Sequence, residues 1–282
     1  MGGPPTAVPD GAAATTTTPE AILLAAVGTL PDVGALAASL ESSVAHLSVP
    51  QRDTALVTAI RAVRPATESW LRAHGAASEQ ATDSVADVDR KLGRYGLRGT
   101  GLDWFCSVLT ARVVAVGRLQ FEMGVVTSDG HPAWGVHVPE GGPLVPDDCD
   151  RSFAAAPELL AELTQNADAD PDPDADTDTD KDTGTVAERW QCRSWFLDPG
   201  LPAVLGPRSN TARFASRFRL DPGGPDDAAE GDDSVAKFVF GTTLAAARRA
   251  VPRNRLETAV LDRWRAGEHW TVRTGTAPVD PA

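Results

Sequence analysis

The sequence predicts an α+β protein, in which a helical N-terminal half precedes a C-terminal half built on a mixed sheet. Two observations support this prediction. From Pro19 to about Gly117, apolar residues recur at helical spacing in nearly every segment. Beyond Arg118, short segments of alternating apolar residues are interspersed with segments of helical period. We therefore expect a disordered leader over residues 1–18, a helical domain over residues 19–100 and a mixed-sheet domain over residues 101–282.

Three long helices are predicted in the first half. In the segment 50–75, Leu56, Ile60 and Val63 share one face, and Pro65 predicts a kink or a break. Ser48 and Gln51 have the spacing of a capping box at its start. A more polar helix over residues 78–96 is expected to end at one of its glycines, Gly93 or Gly96. A third helix has apolar residues at helical spacing up to residue 116: Leu102, Phe105, Leu109, Val113 and Val116.

The second half alternates between predicted strands and helices. The strands are expected at residues 119–125, 133–139, 190–197, 212–220, 236–241 and 269–275. Helices are expected between Asp147 and Leu163, around residues 201–205 and over residues 254–266, where the apolar stripe consists of Leu256, Val260, Leu261 and Trp264.

Two acidic segments interrupt this second half. The first, over residues 165–184, has an aspartate at every second position from Asp168 to Asp182. A calcium-binding loop that starts at Asp178 would need Gly and Glu where Thr183 and Arg189 stand, so no EF-hand is predicted. Repulsion between the aspartates and two interspersed prolines disfavours a strand. We expect a disordered insert without a metal site, and a second acidic insert over residues 221–233.

The net charge of −13 lies in these inserts, which contribute −7 and −6, so the rest of the chain is close to neutral. Without a basic face, a nucleic-acid-binding protein is not expected. The leader lacks the features of a signal peptide, and no apolar run approaches the roughly 18 residues of a membrane span. The three cysteines have no metal-ligand spacing. We therefore expect a cytoplasmic protein that binds no membrane and no metal.

Several motifs follow one another in a recognisable order. They are GRLQFE at residue 117, VHVPEGGPL at 136, CRSWFLDPGL at 192, RSNTARFASRF at 208, FVFG at 238 and VPRNRLETAVLDRWRAGEHW at 251. This order resembles a bacterial acyltransferase family with a helical N-terminal domain and a GNAT-like C-terminal domain. The resemblance covers about Leu97 to Gly275. It implies a GNAT-like mixed sheet and transfer of an acyl group, usually acetyl, to an amine, with acetyl-CoA or another acyl-CoA as co-substrate.

A departure from the usual GNAT pattern concerns the loop that binds the CoA pyrophosphate. That loop reads Gln/Arg-x-x-Gly-x-Gly/Ala, and no match stands between a predicted strand and helix here. The nearest equivalent is the turn with Gly141 and Gly142, whose amides are candidate phosphate ligands at a helix start. The alternative is an ordinary turn in which Asp147 or Asp148 caps the helix.

The predicted strand 212–220 offers a second candidate cofactor site. Arg213, Arg217 and Arg219 alternate along it and would form a cationic row able to bind phosphates. The alternative is a solvated row that balances the neighbouring acidic insert. Ser209 and Asn210, just before this strand, are candidate substrate ligands or a turn cap, and Trp195 is a third candidate for substrate binding.

Direct acyl transfer needs a general base to deprotonate the attacking amine. Glu122 and His137 lie on two consecutive predicted strands, where pairing would bring them within one water molecule of each other. Both are candidate catalytic residues; the alternative is an edge-facing glutamate and a hydrogen-bonded core histidine. The usual GNAT acid is a tyrosine, and the only tyrosine here is Tyr95, outside the motif region.

Three functions of different class are compatible with these features. The first is an acyl-CoA-dependent N-acyltransferase acting on a small-molecule amine. The second is a non-catalytic ligand- or protein-binding module with a GNAT-like fold. The third is a transferase or hydrolase with a nucleophilic cysteine, which would need an activating imidazole or helix start close by. The first is the leading hypothesis, because the motif resemblance implies it.

Overall fold

The structure is a computed structural model that describes residues 17–168 and 187–279. The expected leader lies outside the described residues except for Thr17 and Thr18. Most of the first acidic insert lies outside them too, and its first residues, 165–168, belong to a helix.

Five helices form the N-terminal part: α1 (Pro19–Ala26), α2 (Val33–Ser43), α3 (Val49–Ala73), α4 (Ser78–Thr100) and α5 (Leu102–Leu109). The predicted capping box of α3 is confirmed, since the Ser48 amide donates to the Gln51 side chain at 3.1 Å. Helix α3 continues through Pro65 without a break. Buried side chains on both sides of the proline, Leu56, Ile60, Val63 and Leu71, hold the two halves in line.

Helix α4 departs from helical geometry at Gly96, where φ is 66°. This is one of the two glycines predicted to end it, and only glycine adopts that conformation without strain. Helix α5 packs with α2 and α3 in a core that includes Leu40, Ile60 and Phe105. The domain boundary at residue 100 stays a prediction.

The predicted extension of the third helix to Val116 is wrong. The helix ends at Leu109, Ala111 adopts φ of 64°, and strand β1 covers Val113–Val116. All four residues of β1 are buried, because helices cover both faces of the sheet there. A continuous apolar run of this kind fits a buried helix and a buried strand equally well, so periodicity could not separate them.

The sheet has six strands in the order β1-β2-β3-β4-β6-β5. After β1 come β2 (Leu119–Val126), β3 (Pro132–His137), β4 (Arg189–Ser194), β5 (Arg219–Leu220) and β6 (Arg273–Pro278). All neighbours pair antiparallel except β3 and β4, which are parallel. The α+β prediction with a mixed sheet is confirmed, and so are the strands predicted at residues 119–125 and 133–139. The strand predicted at residues 190–197 is a strand only to Ser194, because Trp195–Leu197 form a 3-10 turn.

Two predicted strands are largely helical instead. Residues 210–215 form helix α8 (Asn210–Ala215), with Ser209 as its N-cap, and only Arg219–Leu220 form a strand. Residues 236–240 form a single π-helical turn, Ala236–Phe240. The reason in the first case is the Ser209 cap, whose hydroxyl accepts from the Ala212 amide at 3.3 Å and starts a helical turn. Arg213 and Arg217 therefore do not alternate along a strand.

The second acidic segment is not a disordered insert, because residues 227–235 form helix α9 (Asp227–Val235). Asp232 on this helix is buried and accepts hydrogen bonds from the Trp264 indole and the Trp270 amide. Other helices of this half are α7 (Leu201–Leu205), α10 (Leu244–Ala247) and α11 (Arg255–Arg265), whose predicted stripe lies buried against α7 and α9. The acidic composition of this segment predicted disorder, whereas its buried aspartate holds a helix in place.

The sheet separates two of the three hydrophobic cores. On one face, helix α6 (Pro146–Asp168) packs Leu160 and Leu163 against Phe121 and Trp190. On the other face, Val113 joins the core of α2, α3 and α5. Of the helices that the structure describes, none combines the length and the apolar character required of a membrane span.

Candidate active site

Strands β3 and β4 pair over only two positions, Trp134 with Trp190 and Gly135 with Gln191. Beyond these positions the two parallel strands diverge, and their carboxyl ends open into a cavity of about 600 Å³. The cavity wall includes His137 from β3 and Cys192 from β4. Diverging strands leave backbone N–H and C=O groups without ladder partners, and ligands of open sheets bind outside the carboxyl ends of such strands.

The rest of the wall comes from several further segments, among them Arg118 and Gln120 at the start of β2 and Trp195 and Phe196 after β4. The other segments include Lys91 and Arg94 of α4, Trp104 of α5, the loop 138–144, Asn210 and Thr211 of α8, and Lys237 and Phe238 of the π-helical turn. The cavity therefore lies between the helical N-terminal part and the sheet domain, and both halves of the chain contribute to it.

His137 and Glu122, which strand pairing was expected to bring within one water molecule of each other, form a direct hydrogen bond. His137 Nε2 lies 2.8 Å from Glu122 Oε2, a direct contact with no water between. A carboxylate only accepts hydrogen bonds, so the proton of neutral His137 resides on Nε2 and the lone pair on Nδ1. The Trp104 ring packs edge-on against the imidazole at 4.9 Å between centroids. This tautomer makes His137 Nδ1 a proton acceptor beside the cavity.

Glu122 is held in its charged form by three neighbours. Burial opposes its charge, but His137, the Arg112 guanidinium at 3.3 Å and the Ser107 hydroxyl at 3.1 Å together lower its pKa. Its carboxylate therefore stays ionised and orients His137. Glu122 itself is not part of the cavity wall.

The lowered pKa of Glu122 has a consequence for stability. A carboxyl whose pKa falls on folding stabilises the protein above its ordinary value of 4.5, and that stabilisation disappears as pH falls through the lowered value. We expect Glu122→Gln to lower the melting temperature near neutral pH, with a difference from wild type that shrinks below pH 4.5. Melting curves across pH measure this, with the exposed Glu158→Gln as the matched control. A difference that is constant with pH would contradict the charged state of Glu122.

The loop with Gly141 and Gly142 is organised by Arg118. The Arg118 guanidinium donates to the carbonyl oxygens of Pro143 at 3.0 Å, Gly141 at 2.9 Å and Gly142 at 3.1 Å. Both glycines adopt positive φ, 93° and 69°, a conformation that disfavours other residues. The carbonyl oxygens of Gly141, Gly142 and Pro143 thus accept hydrogen bonds from Arg118. Within the described ranges, neither glycine amide donates a hydrogen bond, so both are available at the start of α6.

Glu140, in the same loop, does not oppose an anion because it is neutralised. Its carboxylate pairs with Lys91 and Arg94, each at 2.9 Å. Burial opposes its charge, but Lys91 in particular lowers its pKa. Asp148, near the start of α6, pairs with Arg151.

The other predicted site residues divide into two groups. Trp195 and Asn210 line the cavity. Ser209, Arg213 and Arg217 do not; Ser209 caps α8, and Arg217 pairs with Asp150 of α6. Arg213 lies on helix α8 and Arg217 in the turn that follows it, neither on a strand, which removes the cationic row expected from the sequence.

Sequence reasoning missed the two cavity lysines and Arg118. The chain has only three lysines among 26 basic residues, and Lys91 and Lys237 both line the cavity. This scarcity of lysine is the sequence feature that could have drawn attention to Lys91 and Lys237. Arg118 belongs to the motif GRLQFE, yet its contact with the loop 139–143 depends on tertiary packing.

The cysteines are unsuited to nucleophilic catalysis. All three are buried, and burial raises the pKa of both Cys106 and Cys192 to about 12. A thiol that stays protonated is a poor nucleophile, which argues against the cysteine mechanism. Among the described side chains, no group of three His, Cys, Asp or Glu residues is placed to hold a metal ion.

Comparisons with known proteins agree with this architecture. A family model described as the GNAT-like C-terminal domain matches residues 113–277. No curated protein matches the chain. A solved acyltransferase in complex with decanoyl-CoA and teicoplanin is 28% identical, with a TM-score of 0.65 over 80% of this chain and 66% of that one. A mutant acyltransferase in complex with octanoyl-CoA is 27% identical, with a TM-score of 0.62 over the same shares.

A third solved structure, an acyltransferase in complex with CoA and 10C-teicoplanin, aligns over more of the chain. It is 24% identical, with a TM-score of 0.67 over 94% of this chain and 85% of that one, a likeness that concerns the fold. The chain spans just under two thirds of the length of the first two neighbours, at 66%.

Proposed function

The chain belongs to the family of the GNAT-like C-terminal domain, and from this premise we propose that it is an acyl-CoA-dependent N-acyltransferase that transfers an acyl group, acetyl first of all, to the amine of a small molecule. The observation that carries the proposal is the gap between the carboxyl ends of β3 and β4, with the His137–Glu122 pair beside it. The solved neighbours, acyltransferases bound to decanoyl-CoA and octanoyl-CoA, support it.

The residues around the gap suit the donor. The unpaired backbone edges of β3 and β4 offer hydrogen bonds to the two amides of the pantetheine arm. The amides of Gly141 and Gly142, at the start of α6, suit the pyrophosphate. Arg118 holds these glycines in place through their carbonyls, and among the described residues it has no carboxylate partner, so its charge also favours a phosphate.

The chemistry requires two protons to leave the nitrogen of the acceptor ammonium and one to reach the leaving sulfur. His137 Nδ1 takes the first proton and frees the amine, and the Glu122 carboxylate stabilises the imidazolium that forms. The amine nitrogen then attacks the thioester carbonyl, the C–N bond forms and the C–S bond breaks. The second proton leaves the nitrogen in this step, and the CoA thiolate receives one proton through solvent or through Ser194. The Ser194 oxygen accepts from the Phe196 amide, which leaves its O–H free to donate.

Acetyl is proposed as the acyl group because charged side chains crowd the part of the cavity next to His137. Lys91, Arg94 and Glu140 line it there, and burying a long alkyl chain among them would desolvate charges. A series of acyl-CoA donors from acetyl to decanoyl tests this point. A preference for octanoyl or decanoyl would contradict acetyl while leaving acyl transfer intact.

A non-catalytic binding module is the second candidate, and the missing pyrophosphate pattern favours it. Thermal shift with acetyl-CoA, followed by thiol release with a panel of amines, separates the two. A ligand that binds only the native state raises the melting temperature. Stabilisation with thiol release supports the enzyme, and stabilisation without release for any amine supports the module. No stabilisation by any acyl-CoA would contradict the enzyme and leave a module that binds another ligand or a protein.

A further inference from the structure

Two lysines and two aromatic rings form one wall of the cavity, which we call the lysine wall: Lys91, Lys237, Trp104 and Phe238. The ring of Tyr95, which does not line the cavity, lies near both ammonium groups. The Lys237 ammonium lies 4.8 Å from the Tyr95 ring centroid and 5.1 Å from that of Phe238. The Lys91 ammonium lies 5.2 Å from Phe238 and 5.8 Å from Trp104. Aromatic faces attract an ammonium group without neutralising its charge. They therefore position two positive charges, and that of Lys237 has no carboxylate partner among the described residues.

The charge balance of the lysine wall is positive. Lys91 and Arg94 share a single carboxylate, that of Glu140. Lys237 donates to the Gly99 carbonyl at 2.6 Å and, among the described residues, has no carboxylate partner. Burial and the neighbouring Lys91 lower the pKa of Lys237, so the two ammonium groups repel each other in a confined space. An anion placed between them would relieve that repulsion.

The backbone around Lys237 also departs from regular structure. It lies in the π-helical turn Ala236–Phe240, and such turns often occur at functional sites. This turn directs both Lys237 and Phe238 to the cavity. The contact with the Gly99 carbonyl joins it to the end of α4, so the lysine wall is assembled from distant parts of the chain.

The lysine wall lies beside His137, on the face of the sheet that α4 and α5 cover. Trp104 connects the two, since its ring packs against His137 at 4.9 Å and lies below the Lys91 ammonium at 5.8 Å. Lys91 also pairs with Glu140, next to the glycines where the donor phosphates are proposed to bind. Among the described residues Lys237 has no such pair, and it is therefore Lys237 whose charge is placed for the acceptor.

We infer that the acceptor amine also carries a carboxylate, which binds to Lys237 and Lys91 while the amine lies at His137. Lysines act as point charges, which favours a carboxylate over a group that needs an arginine fork. Lys91 and Arg94 share the single charge of Glu140, so one positive charge of that group stays unbalanced beside Lys237. This inference rests on the proposed function for the amine, whereas binding of the carboxylate itself is tested without any turnover.

The first test uses the scarcity of lysine. Because the chain has three lysines, Lys91, Lys181 and Lys237, carbon-13 labelling of lysine side chains gives three signals, which substitution assigns. We expect titration of the full chain with N-acetylglycine to move the Lys237 and Lys91 signals saturably and to raise the pKa of Lys237. The neutral N-acetylglycinamide should leave them unchanged. Absence of a shift, or an equal shift with both compounds, would overturn the inference.

The second test measures transfer to matched amines, such as glycine with glycinamide and β-alanine with β-alaninamide. We expect wild type to prefer the carboxylate of each pair, and Lys237→Met to lower kcat/KM for it by about 10-fold to 100-fold while changing the amide less. Lys237→Arg should restore part of the preference. The exposed Arg265→Met, on α11, is the matched control.

Two outcomes of the second test overturn the inference: no preference for the carboxylate in wild type, or a Lys237→Met variant that weakens acyl-CoA binding instead of carboxylate selectivity. The latter would place a donor phosphate on the lysine wall. If no amine is acylated and no acyl-CoA binds, the proposed function fails, and the lysine titration alone decides whether a carboxylate site exists.

Discussion

Replacing His137 with glutamine is expected to lower kcat/KM for acyl transfer by about 10²–10⁴-fold, the usual contribution of a general base. Glutamine keeps a similar reach toward Glu122 but accepts no proton at the position of Nδ1. The wild type should show a limb of kcat/KM that rises with pH, and this limb should disappear in His137→Gln. Acyl-CoA affinity should stay within about threefold of wild type, because the base is proposed to contact the acceptor rather than the donor phosphates.

Glu122→Gln distinguishes a positioning residue from the base. Without the carboxylate the imidazolium is less stable, so the rising limb should move to lower pH and kcat should fall while the limb persists. His131→Gln is the matched control, because His131 lies on an exposed turn with 59% of its side chain accessible. Near wild-type rates in both His137→Gln and Glu122→Gln, with intact melting curves, would contradict this mechanism and direct attention to Glu140, which lines the cavity.

A second substitution with a large expected effect, in this case on stability, is at Asp232 on the acidic helix α9. Its carboxylate accepts from Trp264 Nε1 at 2.6 Å and from the Trp270 amide at 2.9 Å, and it pairs with His269 at 2.7 Å. The carboxylate is 2% exposed. Asp232→Ala leaves these donors without a partner in the interior, and we expect it to destabilise the protein by about 3–5 kcal/mol.

Chemical denaturation measures this loss, with Asp233→Ala as control. Asp233 is the next residue and is exposed, so its substitution should change the free energy of unfolding by no more than about 0.5 kcal/mol. Equal effects of the two substitutions would contradict the anchoring role of Asp232. They would also support the prediction that residues 221–233 form a disordered insert.

The elements predicted correctly from the sequence are those whose signals are local. The capping box of Ser48 and Gln51, the glycine at position 96 and the stripe of α11 each act within a few residues. The errors share a different cause. Val113–Val116 is buried on both faces, which erases the alternation of a strand. In residues 227–235, the acidic composition outweighed one buried aspartate whose partners lie more than 30 residues away.

The candidate site also has one part that the sequence predicted and one part that it did not. The pairing of Glu122 with His137 was predictable because both lie on neighbouring antiparallel strands, and the observed register, Gln120 opposite His137, brings them into contact. The lysine wall was not predictable. Lys91 of α4 and Lys237 of the π-helical turn are far apart in sequence and lie close together only in the folded chain. No local sequence pattern in either segment predicts this proximity.

A structure of the full chain with acetyl-CoA, or with a non-reactive acyl-CoA analogue, tests the central claim most directly. We expect the pantetheine arm between the carboxyl ends of β3 and β4, the pyrophosphate at the amides of Gly141 and Gly142, and the acyl carbonyl on the side of His137. A pantetheine arm that lies outside the gap between β3 and β4, or donor phosphates bound at Lys237, would contradict the account.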